Sequence, residues 1–321
     1  MEIFNPNSNI DFLRLRTISI AVSVILLVLS IGAIGVRGLN YALDFTGGVL
    51  VEASYQKPVE ISEVRDTLEA SGFHNTQVVQ NVGTNDVSIR LQTGEGGAKA
   101  EDAEAAKTMN LIADKVISAL KAKREDVSKK RADYVGSAVG DELKSDGIVA
   151  VIFVIIGIMI YIGIRFEWRF AVAAIASEFH DTLIVLGFYA ITHREFDVTV
   201  LASVLAVVGY SINDKVVVFD RVRELFRSSR RAEPVDILNK AINSTLSRTI
   251  ITALFTAITM IALYLFGGQA VSGFALTMII GIVIGTLSSI FFANPILLWL
   301  GVSKTDLMPV SRDNPELARR P

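Results

Sequence analysis

The sequence predicts a polytopic α-helical membrane protein with six transmembrane helices and one α+β, ferredoxin-like domain between helices 1 and 2. Of the 321 residues, 51% are hydrophobic, the mean hydropathy is +0.47 and the formal net charge is −2. This composition is typical of integral membrane proteins, and the charge balance does not favour a nucleic-acid partner. The chain contains no cysteine, which excludes disulfide bonds and thiolate metal sites.

Six stretches are long and apolar enough to cross a bilayer core, which requires about 20 helical residues. They cover residues 17–36, 146–164, 170–191, 198–219, 249–267 and 273–300. The apolar core of the first stretch is longer than the roughly 7 to 15 residues of a secretory signal, so we interpret it as a retained anchor. The other five helices form a transmembrane bundle over residues 146–300.

The distribution of Lys and Arg predicts the orientation of these helices. Arg14 and Arg16 precede the first helix, and the loop between helices 4 and 5 contains Arg221, Arg223, Arg227, Arg230, Arg231 and Lys240. The loop at 192–197 has only Arg194, and the loop at 268–272 has no basic residue. We therefore expect residues 1–16 and the tail 301–321 to be cytoplasmic, and residues 37–145 to lie on the opposite side.

Residues 37–145 show the periods of a small soluble domain. Strand patterns occur in "GVLVEASY", "TQVVQNV", "DVSIRLQ" and "KRADYVG", and helix patterns in "EISEVRDTLEAS" and "AEAAKTMNLIADKVISALKA". Their order, β-α-β-β-α-β, is that of a ferredoxin-like unit. The lone His74 is interpreted as a surface residue, and the segment has no recognisable catalytic or metal-binding constellation. A binding or mechanical role is therefore favoured over an enzymatic one.

The stretch "YSINDKVVVF", residues 210–219, places Asp214 and Lys215 inside the predicted fourth helix. Ionisable residues within a membrane are costly and by default mark a functional path. Lys215 lies near the predicted cytoplasmic end, where its long stem can reach the headgroups. Asp214 has no such stem, and adjacent residues point about 100° apart on a helix. Asp214 therefore requires a partner from another helix.

The predicted fifth helix offers two kinds of partner. Arg248 carries a permanent charge and several donors, so we predict an Asp214–Arg248 contact that keeps the carboxylate ionised until a proton arrives. One face of the same helix also presents a row of hydroxyls, namely Thr245, Thr249, Thr252, Thr256 and Thr259. Such a row either bonds its own backbone or bonds a neighbouring helix, and the sequence leaves both alternatives open.

The predicted third helix adds Glu178, His180 and Asp181 near its middle. His180 and Asp181 either extend a proton path, because imidazole titrates near neutral pH, or form a static hydrogen-bond cluster. In the sixth helix, small residues recur every four positions and predict close helix packing without a chemical role, at Gly281, Gly285, Ser289 and Ala293.

Several motifs carry a resemblance to a known family. They are "LDFTGG" (43–48), "IRFEWR" (164–169), "HD" (180–181), "VVGYSINDKVVVFDRVRE" (207–224), "LSRTIIT" (246–252) and "YLFGG" (264–268). In this order, over nearly the whole chain, they resemble the SecF family of bacterial protein-export subunits, which is related to the resistance-nodulation-division transporters.

The resemblance implies a multi-pass protein of the bacterial inner membrane with residues 37–145 in the periplasm. It implies a heterodimer with SecD that works with the SecYEG channel, the SecA motor and YidC on preproteins. The energy source is the proton-motive force, and no cofactor is implied. By motif, Asp214 corresponds to the family's proton-carrying aspartate and Arg248 to its basic partner. Lys215 and Glu178 depart from the family pattern, which has small or apolar residues there.

Two other function classes fit the sequence less well. A proton-coupled exporter of small molecules or lipids usually has about twelve spans and two outer domains, whereas this chain predicts six spans and one domain. An intramembrane aspartyl protease would need two catalytic aspartates, for which Asp181 and Asp214 are candidates, but "GYSIND" lacks the expected Gly-x-Gly-Asp pattern.

Overall fold

The computed structural model describes residues 10–73, 76–80, 85–91, 102–135, 137–229 and 233–303. These residues form two compact units. The first, the helical unit, comprises the chain up to residue 40, residues 151–194 and the chain from residue 199. The second, the sheet unit, comprises residues 41–150 and 195–198. His74 lies outside the described residues, as do the first nine residues and most of the predicted tail.

The elements alternate between long helices and short strands. In chain order they are a 3₁₀ turn (Phe12–Leu15), α1 (Arg16–Arg37), β1 (Asn40–Tyr41), α2 (Leu43–Thr46), β2 (Gly48–Tyr55), α3 (Ile61–Ala70), β3 (Thr76–Gln80), β4 (Asp86–Leu91), α4 (Asp102–Lys123), β5 (Val127–Val135), α5 (Ser137–Arg165), α6 (Trp168–Thr192), β6 (Glu195–Phe196), α7 (Val198–Ser228), α8 (Pro234–Phe266), α9 (Gln269–Ser288), a π-helical turn (Ser289–Ala293) and α10 (Asn294–Trp299).

Six helices of the described chain are long and apolar enough to cross a membrane: α1, α5, α6, α7, α8 and the continuous segment from α9 to α10. Three of them extend beyond the predicted apolar stretches. Helix α5 begins at Ser137 rather than near 146, α7 ends at Ser228 rather than near 219, and α8 begins at Pro234 rather than near 249. A count of apolar residues detects only the part of a helix that is hydrophobic all round, whereas an amphipathic helix continues as long as one face is packed.

The early start of α8 has a visible cause. Its first turns bury Ile237 and Leu238, and the side chain of Asn239 joins them to the N-terminal segment. The Leu13 N–H donates to Asn239 Oδ1 at 3.1 Å, and Asn239 Nδ2 donates to Asp11 Oδ1 at 2.9 Å. These contacts stabilise a polar helical segment that hydropathy alone does not reveal.

Burial divides the apolar helices into two groups. Helices α6, α7 and α9 contain most of the buried positions, whereas α1, α5 and α8 expose large apolar side chains such as Val28, Phe153 and Phe255. Exposed apolar surface of this extent is typical of helices that face lipid or a partner helix.

Helix α9 packs closely on α7 through its glycines. A Cβ atom at Gly281 would lie 2.1 Å from Val207 Cγ2, and one at Gly285 would lie 2.8 Å from Ser211 Oγ. The predicted close packing is therefore confirmed at these two glycines. Ser289, the third member of the small-residue row, has a different role, which is described below.

Replacing Gly281 with alanine should destabilise the helical unit. The new methyl group overlaps Val207, whose β-branched side chain has essentially one rotamer in a helix, so α7 and α9 must move apart. Overpacking costs about 1–3 kcal/mol, and removing a helical glycine returns up to about 1 kcal/mol. We expect a net loss of about 1–2 kcal/mol, measured by denaturant unfolding in detergent.

A matched control and a rescue accompany this substitution. A Cβ atom at Gly157 in α5 meets no atom within 4 Å, so Gly157→Ala should not destabilise the protein. Adding Val207→Ala to Gly281→Ala should restore part of the lost stability. Equal effects of the Gly281 and Gly157 substitutions would contradict the packing described here.

The sheet unit contains a four-stranded antiparallel sheet in the order β3-β4-β2-β5. In the central pair, Val51 lies opposite Ile89, and both are fully buried. Helices α3 and α4 contribute Leu68 and Val116 to the same core. Helix α3 follows β2, the first strand of this sheet along the chain, and α4 precedes β5, the last. This strand order and these two helices form the ferredoxin-like arrangement that the sequence pattern predicts.

The connection between α6 and α7 belongs to the sheet unit. The Ala42 N–H donates to Phe196 O at 3.0 Å, and the Val198 N–H donates to Asp44 Oδ2 at 3.2 Å. Glu195 also forms an ion pair with Arg90 of β4. Burial raises the pKa of Glu195, while the Arg90 guanidinium acts in the opposite direction.

An ion pair on β4 gives the sheet unit an acid-sensitive contact. Lys130 Nζ donates to Asp86 Oδ2, and this hydrogen bond, followed by one from Ser54, lowers the pKa of the Asp86 carboxyl. A carboxyl whose pKa is lower in the folded state stabilises that state above its unfolded pKa, and this stabilisation is lost as the pH falls through the folded pKa.

Asp86→Asn should therefore lower the thermal midpoint of the sheet unit at pH 7. The difference from the wild type should shrink as the pH falls from about 3.9, the ordinary aspartate pKa, through the lower folded-state pKa, because the wild-type carboxyl then loses its charge and its ion pair with Lys130. Circular dichroism melts at neutral and acidic pH measure this, with exposed Asp66→Asn as the control. A difference that stays constant down to the lowest pH would contradict the assignment.

Candidate functional site

Ionisable side chains meet inside the helical unit, where water is largely excluded. Helix α6 contributes Glu178, His180 and Asp181, and α7 contributes Asp214 and Lys215, all of which are buried. Buried charges are tolerated only when they are paired or hydrogen-bonded. The hydrogen bonds divide these residues into a lysine cluster around Lys215 and an aspartate cluster around Asp214.

Lys215 is the centre of the lysine cluster and has no exposed surface. Its Nζ donates to Glu178 Oε2 at 2.9 Å, to Asp181 Oδ2 at 2.8 Å and to Ser211 Oγ at 2.8 Å. The prediction that Lys215 reaches toward the headgroups is therefore wrong. Its side chain points to α6, which supplies two carboxylates at the required depth, and the sequence of α7 alone does not show this.

Asp181 binds four side chains of the lysine cluster. Its Oδ2 accepts hydrogen bonds from Ser211 Oγ at 2.6 Å and Ser288 Oγ at 2.7 Å in addition to Lys215, and Oδ1 lies 2.8 Å from His180 Nδ1. The His180 ring stacks on Phe292 with centroids 4.0 Å apart. The predicted juxtaposition of His180 and Asp181 is present, and the arrangement is compatible with both a proton path and a static cluster.

In the part of the chain that the structure describes, the side chains that hydrogen-bond to Asp214 are two hydroxyls. Thr249 Oγ1 of α8 donates to Asp214 Oδ1 at 2.7 Å, and Ser289 Oγ donates to Oδ2 at 2.9 Å. Ser289 opens the π-helical turn, where its carbonyl accepts from Asn294 Nδ2 at 2.6 Å. Asp214 thus connects α7 to α8 and to the π turn.

The predicted Asp214–Arg248 contact is wrong for the residues that the structure describes. Arg248 is exposed and forms no ion pair with Asp214. Adjacent residues on a helix point about 100° apart, so the face of α8 that meets Asp214 presents Thr249, and Arg248 acts on Asp214 as a charge without a direct bond.

The threonine row of α8 follows both alternatives that the sequence left open. Thr249 bonds a neighbouring helix through Asp214. The other four hydroxyls donate to the carbonyl one turn earlier in their own helix, at distances of 2.8–2.9 Å, and they belong to Thr245, Thr252, Thr256 and Thr259.

Three serines complete the two clusters, and no chemical role was predicted for any of them. Ser211 and Ser288 bind Asp181, and Ser289 binds Asp214. Serines are common in closely packed membrane helices, so their presence alone does not indicate a site. The usable signal was the spacing of Ser211, one turn before Lys215 on the same face of α7.

The two clusters are linked through adjacent residues. Asp214 and Lys215 are neighbours on α7, and Ser288 and Ser289 are neighbours at the end of α9. Together the clusters contain three carboxyl groups and one lysine, with His180 as a further titratable group. This arrangement places an excess of acidic groups in a poorly solvated environment.

Fold and site together define a polytopic membrane protein with a centre of ionisable side chains buried among its helices. The chain belongs to the SecD/SecF family of protein export membrane proteins, in its SecF branch. The model of the SecD/SecF C-terminal region matches residues 115–303, and the model of the SecD/SecF GG motif matches residues 32–59.

Curated relatives match over almost their whole length. The chain is 41% identical over 303 residues to the protein translocase subunit SecF of Pseudomonas aeruginosa, covering 94% of both chains. It is 38% identical over 324 residues to SecF of Vibrio alginolyticus, covering 100% of this chain and 99% of the relative.

A solved structure shares the fold. The chain superposes on SecDF of Thermus thermophilus, described as a translocon-associated membrane protein, with a TM-score of 0.80 and 30% identity. The match covers 93% of this chain and 39% of that SecDF chain, so this chain spans about two fifths of it.

Proposed function

We propose that this chain works with SecD to convert the proton-motive force into preprotein translocation across the bacterial inner membrane. The observation that carries the proposal is the environment of Asp214, a buried carboxyl held by two hydroxyls from different elements and by no ion pair among the described residues. A carboxyl in such a place can gain and lose a proton without breaking a salt bridge.

Protonation of Asp214 changes what its neighbours must do. An ionised carboxylate only accepts hydrogen bonds, and both Thr249 and Ser289 donate to it. A protonated carboxyl has one O–H donor, so one of these hydroxyls must turn to accept, or its contact is lost. Proton uptake therefore favours a different arrangement of α7, α8 and the π turn, which is the basis for coupling to movement.

The other proposed members of the proton path border this centre. His180 and Asp181 reach it through Ser288, which is adjacent to Ser289. Arg248 is the residue before Thr249 in α8. It is exposed, so its guanidinium is available to water or to a partner helix. We assign these three residues supporting roles in proton entry and exit, and Asp214 the central one.

The partners and the orientation belong to the same proposal. The solved SecDF chain contains the SecF fold within a longer chain, which supports a heterodimer of this protein with SecD. SecYEG, SecA, YidC and the preprotein are the further partners, and both termini are cytoplasmic with the sheet unit in the periplasm. The exposed apolar faces of α1, α5 and α8 are available to lipid and to SecD helices.

The decisive experiment measures preprotein translocation into inverted inner-membrane vesicles that contain or lack this chain. The vesicles are assayed with and without an imposed proton gradient. We expect the gradient to stimulate translocation only where this chain and SecD are present. Equal stimulation in vesicles that lack the chain would contradict the proposal, as would failure to recover SecD when the tagged chain is purified from native membranes.

A further inference from the structure

Lys215 has no spare donor in the lysine cluster. A lysine ammonium group offers three N–H donors, and Lys215 uses them on Glu178, Asp181 and Ser211. It is fully buried, so water does not compete for these bonds. Its position is therefore determined by the two carboxyl groups that share it.

The two carboxyl groups are not equivalent. Both oxygens of Asp181 are occupied, because Oδ2 accepts from Lys215, Ser211 and Ser288 and Oδ1 contacts His180. Glu178 has Lys215 as its partner at Oε2, whereas Oε1 is buried without a hydrogen-bond partner in the described structure. Hydrogen bonds to the charged form support an ionised carboxylate, and a buried acceptor without a partner is costly.

The surrounding charges also favour Glu178, rather than Asp181, as the carboxyl group that carries a proton. On α6 the charged group that acts on Glu178 is Asp181, which in turn contacts His180, and α7 supplies Lys215 and, as the preceding residue, Asp214. Among the described residues, the end of α9 and the π turn contribute the hydroxyls of Ser288 and Ser289 and the uncharged Phe292 ring to the two clusters, and α10 contributes an amide. One lysine balances one carboxylate, so with Asp181 ionised the lysine cluster is neutral when Glu178 carries a proton.

We propose that Glu178 is a second proton-binding group of this protein, with the proton on Oε1, and that Lys215 is the positioning residue shared between Glu178 and Asp181. The proposal deepens the proposed function and rests on it for the effect on export. Release of the proton from Oε1 makes Glu178 a second full negative charge beside Lys215 and draws the lysine toward α6. Because Asp214 is the preceding residue of α7, this displacement acts on its bonds to Thr249 and Ser289.

Infrared difference spectroscopy tests proton binding without relying on export. The full chain, reconstituted with SecD in liposomes, is titrated with pH, and the C=O stretch of protonated carboxyl groups is recorded. We expect more than one pH-dependent band, because Asp214 also binds a proton in the proposed function, and one of these bands should be lost in Glu178→Gln and retained in Asp214→Asn. Glutamine keeps an oxygen that can accept from Lys215, so the fold should persist, and exposed Glu142→Gln on α5 is the matched control.

Isotope labelling keeps the test decisive if the variant does not accumulate. Glutamate labelled with ¹³C at its carboxyl carbon should shift this band of the wild-type protein, whereas labelled aspartate should shift the Asp214 band instead. The proposal would be overturned if Glu178→Gln removed no band, or if labelled glutamate shifted no pH-dependent band of the wild-type protein.

Export separates this proposal from the proposed function. Glu178→Gln should retain stimulation by the proton gradient but flatten its dependence on pH, because one of two proton-binding groups is lost. Asp214→Asn should lose stimulation at every pH. A full loss in Asp214→Asn with an unchanged pH profile in Glu178→Gln would overturn the second group alone, whereas unaffected stimulation in Asp214→Asn would contradict the central role of Asp214.

Discussion

Asp214→Asn should abolish the gradient-dependent part of preprotein translocation while leaving gradient-independent translocation and membrane insertion unchanged. Asparagine has nearly the same volume as aspartate, and its amide can still hydrogen-bond to Thr249 and Ser289, so the helical unit should fold. An amide does not bind or release a proton near neutral pH. The measurement compares translocation into inverted vesicles with and without a gradient.

The matched control for this prediction is Asp236→Asn. Asp236 lies in the first turn of α8 and is exposed, so the same chemical change there should leave stimulation at the wild-type level. Thr249→Val, which removes one donor to Asp214 but no titratable group, should reduce stimulation without abolishing it. Full stimulation in Asp214→Asn would show that the proton passes elsewhere, with His180, Asp181 or a group on SecD as the next candidates.

Lys215→Met should cause the largest loss of stability of any substitution considered for this protein. Methionine has a similar length, but it leaves Asp181 and Glu178 without their shared cation in a site that excludes water. Removing one partner of a buried ion pair costs about 3–5 kcal/mol. We expect a lower yield of folded protein in detergent and a clearly reduced unfolding midpoint.

Neutralising the carboxyl groups provides the counter-test. Lys215→Met combined with Glu178→Gln and Asp181→Asn removes the unbalanced charge and should recover part of the lost stability, because amides need no cation. The exposed Lys240→Met on α8 is the control for loss of a lysine and should have little effect. If the triple variant were no more stable than Lys215→Met alone, packing rather than charge would explain the loss.

The sheet unit and the helices were predictable because each depends on a periodic pattern within its own segment. The alternation in "GVLVEASY" corresponds to β2, Gly48–Tyr55, and long apolar runs correspond to the helices. The ends of α5, α7 and α8 were placed too close to the apolar runs, because their polar extensions depend on contacts with other segments, as Asn239 shows with Leu13 and Asp11.

The candidate site was predictable as a set of residues but not as a set of contacts. An aspartate inside a long apolar stretch is evident from the sequence, and Asp214 was recognised on that basis. Its partner was not, because a displacement of one residue along α8 exchanges Arg248 for Thr249. The acceptors of Lys215 lie on α6, and the sequence does not show that α6 and α7 are in contact. The Lys215 side chain was therefore predicted to reach the headgroups.

The connector between α6 and α7 limits how far these two helices can separate. Helix α6 ends at Thr192 and α7 begins at Val198, and a fully extended chain covers about 3.4 Å per residue. The connector therefore spans at most about 20 Å between these two residues, which are six residue steps apart. Contacts of Phe196 with Ala42 and of Glu195 with Arg90 hold part of it in the sheet unit and shorten its reach. Because α6 and α7 carry every ionisable residue of both clusters, under the proposed function this connector limits how far protonation can separate their adjoining ends.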